Sequence, residues 1–107
     1  VQAKDGLAQE PFGVLLSFMR NQNTWVKVCG AERVSSEGPP FTDALPFARA
    51  LIEAAPERVL WGTDWPHPNV KRMPNDGDLV DLVPLMAPEP ELQYKILVDN
   101  PARLYGF

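Results

Sequence analysis

Cysteine, histidine, basic runs and long apolar runs are all scarce in this 107-residue chain, and each scarcity excludes something. The one cysteine, Cys29, has no partner for an internal disulfide, so a reducing compartment such as the cytoplasm is the expectation. No run of Lys or Arg is longer than Lys71-Arg72 and the formal net charge is −4, which argues against a nucleic-acid partner. The longest apolar stretches, such as Val14 to Leu16 and Val59 to Trp61, fall far short of the ~20 residues that cross a bilayer. No charged-then-apolar leader precedes them, so no membrane partner is expected. The chain begins at Val1 and not at methionine, which fits either processing or a piece of something longer.

What is present is a chain with 45% hydrophobic residues, enough for one modest domain. Phe12, Leu15, Leu16 and Met19 recur at helical spacing behind Pro11, which predicts a helix over 12–20 with one buried face. Thr24 to Cys29 is rich in β-branched and aromatic types and closed by Gly30, the pattern of a strand. After the Gly38–Pro40 tract, Thr42 or Asp43 is placed to cap a second helix whose buried face carries Leu45, Ala48, Leu51, Ile52 and Ala55. Pro46 is tolerated there because it falls in the first turn, and Pro56 ends the helix. Val59, Leu60 and Trp61 then form an unbroken apolar run closed by Gly62, as expected of a strand covered on both faces. Further helices are expected over 78–86, with Pro84 delaying its start towards Asp81, and over 90–98, with Asn100-Pro101 as a break that begins a last short turn through Leu104. The acidic cluster Asp76, Asp78 and Asp81 reads as a helix start, not as a metal site.

Strand, helix and strand between Thr24 and Gly62 make a βαβ crossover, so the two strands should be parallel neighbours. Two strands cannot complete a parallel sheet, because both outer edges stay unpaired. The fold class expected is therefore α/β, with this chain as the carboxyl-terminal portion of a larger α/β barrel or sheet whose other strands are not encoded in it. In such barrels the side chains just beyond each strand's carboxyl end face the ligand. Asp64 and His67 follow the second strand, and Arg33 follows the first, so all three are candidates to converge.

The peptide Gly62-Thr63-Asp64-Trp65-Pro66-His67-Pro68, the W-V-K-V-C-G of Trp25 to Gly30 and the closing D-N-P-A-R-L-Y-G-F together resemble the amidohydrolase-related barrel hydrolases. Within that family the M-P-N-D-G-D-L-V-D-L-V-P stretch from Met73 and the later L-V-D-N-P are most similar to the 2-pyrone-4,6-dicarboxylate lactonases. The resemblance implies a hydrolase that opens a carboxylated lactone, as in aromatic compound degradation, with Asp64 as the general base that deprotonates the attacking water. It implies that Arg33 binds a substrate carboxylate, a task suited to a planar guanidinium, and it leaves His67 to donate to substrate or to brace Asp64. It further implies that residues 1–107 are the carboxyl-terminal segment of a single (β/α)8 TIM-type barrel domain, about two parallel strands plus helices, with further arginines and a tyrosine for the substrate and with histidines on the first strands and in the middle of the barrel, which cannot come from a chain whose one histidine is His67. Cys29 stands where related sequences more often have serine. The substrate expected is a small anionic carboxylate, no cofactor is expected, and the remaining partner is the rest of the barrel or a second copy covering the sheet edges. An alternative is a zinc- or manganese-dependent decarboxylase or hydrolase of the same superfamily, with Asp64 as a metal ligand. Another is a non-catalytic piece with an interaction role. Plain readings stand beside these: Asp64 capping a turn, His67 a structural residue, Arg33 a solvated charge and Cys29 a small buried side chain.

Overall fold

Parallel pairing of the two predicted strands is the centre of the computed structural model, which describes residues 1–107. Strand β1 (Val26–Val28) lies beside β2 (Val59–Trp61) in the register Val26↔Val59, Lys27↔Leu60 and Val28↔Trp61. β1 is shorter than Thr24 to Cys29, and β2 spans the apolar run as expected. Paired residues of a parallel sheet project to the same side. Val26, Val28, Val59 and Trp61 thus share one face, which packs on the helices, and Lys27 and Leu60 share the other.

Helix α1 (Glu10–Phe18) precedes β1, with Pro11 in its first turn, and Phe12 and Met19 are fully buried at its two ends. A single turn, α2 (Ala31–Val34), follows β1, and α3 (Leu45–Ala54) is the crossover to β2. Its whole expected apolar face, Leu45, Ala48, Leu51, Ile52 and Ala55, is buried. The face splits between two packing layers. Leu45, Ala48 and Ile52 meet Val59, Leu79, Leu82, Met86 and Ile96, whereas Phe47, Leu51 and Ala55 meet Phe12 and Met19. Phe12 and Phe47 pack edge to face with ring centroids 5.0 Å apart, an arrangement that aligns ring quadrupoles favourably.

Three expectations are corrected. Neither Thr42 nor Asp43 caps α3, which is entered through a 3-10 turn at Thr42–Ala44. The Asp43 carboxylate instead accepts from the Ser35 hydroxyl and, at 2.7 Å, from the Ser36 N–H, which ties down the loop ahead of the helix. The helix expected over 78–86 is two, α4 (Asp76–Val80) and α5 (Val83–Met86), because Pro84 fits only in the first turn of a new helix. α4 starts earlier than expected, capped by Asn75, whose side chain accepts from the Gly77 N–H at 2.7 Å, with Asp76 and Asp78 in its first turn. Finally, Asn100-Pro101 does not break the last helix: α6 (Pro90–Tyr94) runs through a π turn at Lys95–Asp99 into α7 (Asn100–Tyr105). The widened turn gives the Pro101 ring room, since a regular helix would drive it into the carbonyl four residues back. Asn100 is fully buried and donates from Nδ2 to the Pro56 and Val59 carbonyls, both at 2.8 Å.

Candidate active site at the carboxyl ends of the strands

Both strands end at a glycine. Gly30 has φ +74°, a left-handed value that favours glycine, and this turn sends the chain directly from β1 into α2. At Gly62 the Lys27 stem passes close by: a Cβ there would meet Lys27 Cδ at 3.4 Å, a van der Waals contact with a flexible side chain. Beyond Gly62 the backbone is unusual. Asp64 and His67 are both left-handed, at φ +66° and +60°, and the His67 N–H donates to the Asp64 carbonyl at 2.7 Å. Such conformations cost a non-glycine residue about 1 kcal/mol or more and persist only where the surroundings enforce them.

This folding brings Arg33 and Asp64 together as the sequence suggested. Arg33 Nη1 lies 3.5 Å from Asp64 Oδ2, with the guanidinium half exposed and the carboxylate three-quarters buried. Asp64 Oδ2 has no hydrogen-bond donor. That buried oxygen therefore keeps lone pairs that no donor in the chain fills. Cys29 is half-buried close by, and burial together with the Asp64 charge pushes its thiol pKa up, so it stays a neutral thiol and a poor nucleophile.

His67 sits elsewhere than either expected role required. Its ring is buried, with Nδ1 3.1 Å from Glu32 Oε1 and Nε2 2.7 Å from Asp76 Oδ1. Both neighbours are carboxyl oxygens, an arrangement that favours a ring protonated on both nitrogens, the imidazolium. Burial pulls its pKa down, but the hydrogen bonds and charges of Asp76 and Glu32 outweigh this and leave it above the ordinary imidazole value. With both nitrogens engaged, the ring is not presented to a ligand, and it braces Asp64 only through its backbone. Glu32 and Asp76 are the residues that sequence reasoning missed. Asp76 was legible as a helix start and Glu32 only as the neighbour of Arg33, and no local spacing links either to His67.

Arg33, Asp64, Glu32, Lys71 and Arg72 line an open cleft of about 900 Å³. A second cavity, of about 160 Å³, lies against α1 and α3 and is walled mostly by hydrophobic side chains such as Phe12, Phe47 and Leu82, with Lys27, Cys29 and Thr63 among its few polar ones. The chain's residues do not by themselves fit a zinc or manganese ion, because no group of three or more His, Cys, Asp or Glu is placed to hold one. Asp64 could supply one ligand at most, with the others from outside the chain.

A family model described as amidohydrolase matches residues 2–107. The chain belongs to the amidohydrolase family. Curated amidohydrolase relatives include the 4-sulfomuconolactone hydrolase of Rhizobium radiobacter, 50% identical over 99% of this chain and 36% of that protein. The 2-pyrone-4,6-dicarboxylate hydrolase of Comamonas testosteroni is 54% identical over 94% of this chain and 36% of that protein. The D-galactarolactone isomerase of Agrobacterium fabrum is 34% identical over 85% of this chain and 32% of that protein. The chain thus spans about a third of the length of the curated relatives it matches. Among solved amidohydrolase-type barrels, a Pseudomonas putida structure provisionally named 2-pyrone-4,6-dicarboxylic acid hydrolase superposes with TM-score 0.76 and 30% identity, over 98% of this chain and 39% of that one. An Acinetobacter baumannii barrel holding citric acid gives TM-score 0.79 at 24% identity, over 100% of this chain and 40% of that one, a likeness of fold. The parallel pair and its helices are accordingly part of an amidohydrolase barrel, as the sequence resemblance implied. No helix of the chain is long and apolar enough to cross a membrane.

Proposed function

We propose that these residues are the last third of a (β/α)8 amidohydrolase barrel that opens an anionic lactone, with Asp64 as the base and Arg33 as the anion holder. The observation that carries the reading is the pairing of Arg33 Nη1 with Asp64 Oδ2 at 3.5 Å, at the carboxyl ends of adjacent parallel strands. The curated relatives named above all act, by their names, on lactones, and the hydrolases among them on lactones bearing a sulfonate or carboxylates. A guanidinium suits either anion, because its planar donors meet two oxygens at once.

In this reading the substrate's acid group docks on Arg33 and draws the guanidinium away from Asp64. The carboxylate oxygen then takes a proton from water as the hydroxide adds to the lactone carbonyl. Collapse of the tetrahedral adduct breaks the bond to the ring oxygen, and the proton held on Asp64 passes to that oxygen, giving the ring-opened acid. The histidines of the missing strands would polarise the carbonyl. The cleft beside Arg33, Lys71 and Arg72 favours a small anionic carboxylate, and cytoplasmic chemistry suits the unpaired thiol of Cys29.

The test is a completed barrel in which this chain is joined to the missing two thirds of the Comamonas testosteroni relative. Ring opening of carboxylated lactones should appear and should vanish in Asp64→Asn. A folded barrel that turns over no such lactone, or an Asp64→Asn variant as active as its parent, would overturn the proposal. Metal analysis of the same barrel completes the test. Water activation by Asp64 without a tightly held metal is the expectation, and a stoichiometric zinc required for turnover would replace it with the metal-dependent mechanism.

A further inference from the structure

We infer that His67 is a positioning residue, which ties Glu32 and Asp76 together and so fixes Arg33 at its distance from Asp64. The inference rests on the roles proposed for Arg33 and Asp64. Backbone and apolar contacts place the turn that carries Arg33, with Gln2 Nε2 donating to the Arg33 carbonyl at 3.3 Å and Ala31 and Val34 packed on the core, but its one buried charged anchor is Glu32. Helix α2 is a single turn of four residues, too short to be stable by itself, and Arg33 is half exposed at its end. Its neighbour Glu32 is different: the Glu32 side chain is 2% exposed, and the His67 side chain that meets it is 1% exposed. A buried carboxylate is costly without a compensating cation, and Glu32 Oε2 has no donor at all. The bond from His67 Nδ1 is therefore what keeps Glu32, and with it the turn that carries Arg33, pinned against the loop after β2.

The same ring holds that loop from the other side. The His67 backbone N–H closes the turn on the Asp64 carbonyl, and the ring, seated on that turn, reaches Asp76 in the first turn of α4 through Nε2. Three segments from separate parts of the chain thus converge on one imidazole, and the left-handed residues Asp64 and His67 are the two ends of the turn that carries it. Loss of the ring would free α2 and the 64–67 turn to relax independently. A misplacement of ~1 Å between reacting groups is enough to lower a rate by about 100-fold.

The experiment uses the completed barrel with His67→Gln, Glu32→Gln, Asp76→Asn and Asp64→Asn, and reads folding, kcat and the affinity for the carboxylated lactone. The affinity is measured in the Asp64→Asn background, so that binding is read without turnover. His67→Gln should lower kcat about 10- to 100-fold and weaken lactone binding about 10-fold, with Glu32→Gln in the same direction and Asp76→Asn, at the half-exposed end, least affected. For a lactone analogue lacking the acid group, binding should be unchanged by His67→Gln. That contrast would not arise from a merely structural role. If His67→Gln fails to fold, Glu32→Gln, which keeps the shape and an acceptor, decides. Parental kcat and lactone affinity in His67→Gln, or in Glu32→Gln where the former does not fold, overturn the inference, and so does equal loss of affinity for both lactones. An inert Asp64→Asn beside a parental His67→Gln would sink the positioning role alone, whereas a fully active Asp64→Asn would sink the functional reading beneath it.

Discussion

The two ends of the short sheet are built to opposite standards. At the amino ends, side chains satisfy backbone: Arg58 donates to the Asn21, Thr24 and Met19 carbonyls between 2.6 and 2.8 Å, and Asn100 holds the Pro56 and Val59 carbonyls. Glu57 is paired with Lys95 and lies near Arg103, and the hydrogen bond from Lys95 holds its carboxyl below the usual range despite a small opposing effect of burial. At the carboxyl ends, backbone is held left-handed at Asp64, His67 and Asn69, and two buried carboxylate oxygens, Glu32 Oε2 and Asp64 Oδ2, lack donors. The amino rim uses its side chains to hold backbone, whereas the carboxyl rim ties loop side chains to one another and leaves the Arg33–Asp64 pair on the cleft, which is the division expected of a barrel whose chemistry sits at the carboxyl end of its strands.

The sharpest way to break this comparison is Asp64→Asn in the completed barrel. Turnover should fall about 1,000-fold or more, as for loss of a general base, with the thermal midpoint unchanged, and a matching drop in midpoint would erase the distinction between rims. Arg33→Met comes next: KM for a carboxylated lactone should rise roughly 100-fold, in line with loss of a charge-assisted bidentate contact. On the other rim, Asn100→Ala should cost about 2–3 kcal/mol in denaturant unfolding, because two buried carbonyls lose their donor, while kcat per folded molecule stays at the parental level. Smaller still is a pH effect. The raised pKa of His67 means that its ion pairs contribute fully below the unfolded imidazole value of ~6.5 and fade as pH climbs through the folded value. Unfolding free energy should therefore decline above neutral pH by more in the parent than in His67→Gln, and parallel pH curves would refute the imidazolium. Gly62→Ala should be nearly silent, within ~0.5 kcal/mol, because the Lys27 stem at 3.4 Å is flexible enough to move aside.

Much of this was legible in the order of residues, and the failures share a cause. The apolar face of α3, the strand at Val59–Trp61 and the parallel pairing followed from periodicity and from the length of the crossover. The convergence of Arg33 and Asp64 followed from the place of each just beyond the carboxyl end of its strand. Local rules failed where a distant group had a stronger claim. Asp43 was taken by Ser35 and Ser36 instead of α3, and Pro101 was admitted to a helix by a π turn that no propensity announces. The ring of His67 was claimed by Glu32 and Asp76, far from it in sequence or read only as a helix start. Hydrophobic spacing reports on faces, and it is silent about which buried charge will find which.

The π turn before Asn100 also sets a phase. Each residue of an α-helix advances the next by about 100°, so deleting one residue from Lys95–Asp99 would swing the Asn100 amide around the helix axis and away from the Pro56 and Val59 carbonyls. The wide turn is thus a spacer of fixed angular length, and the seam between the last helix and β2 should tolerate substitution within it far better than any change in its residue count.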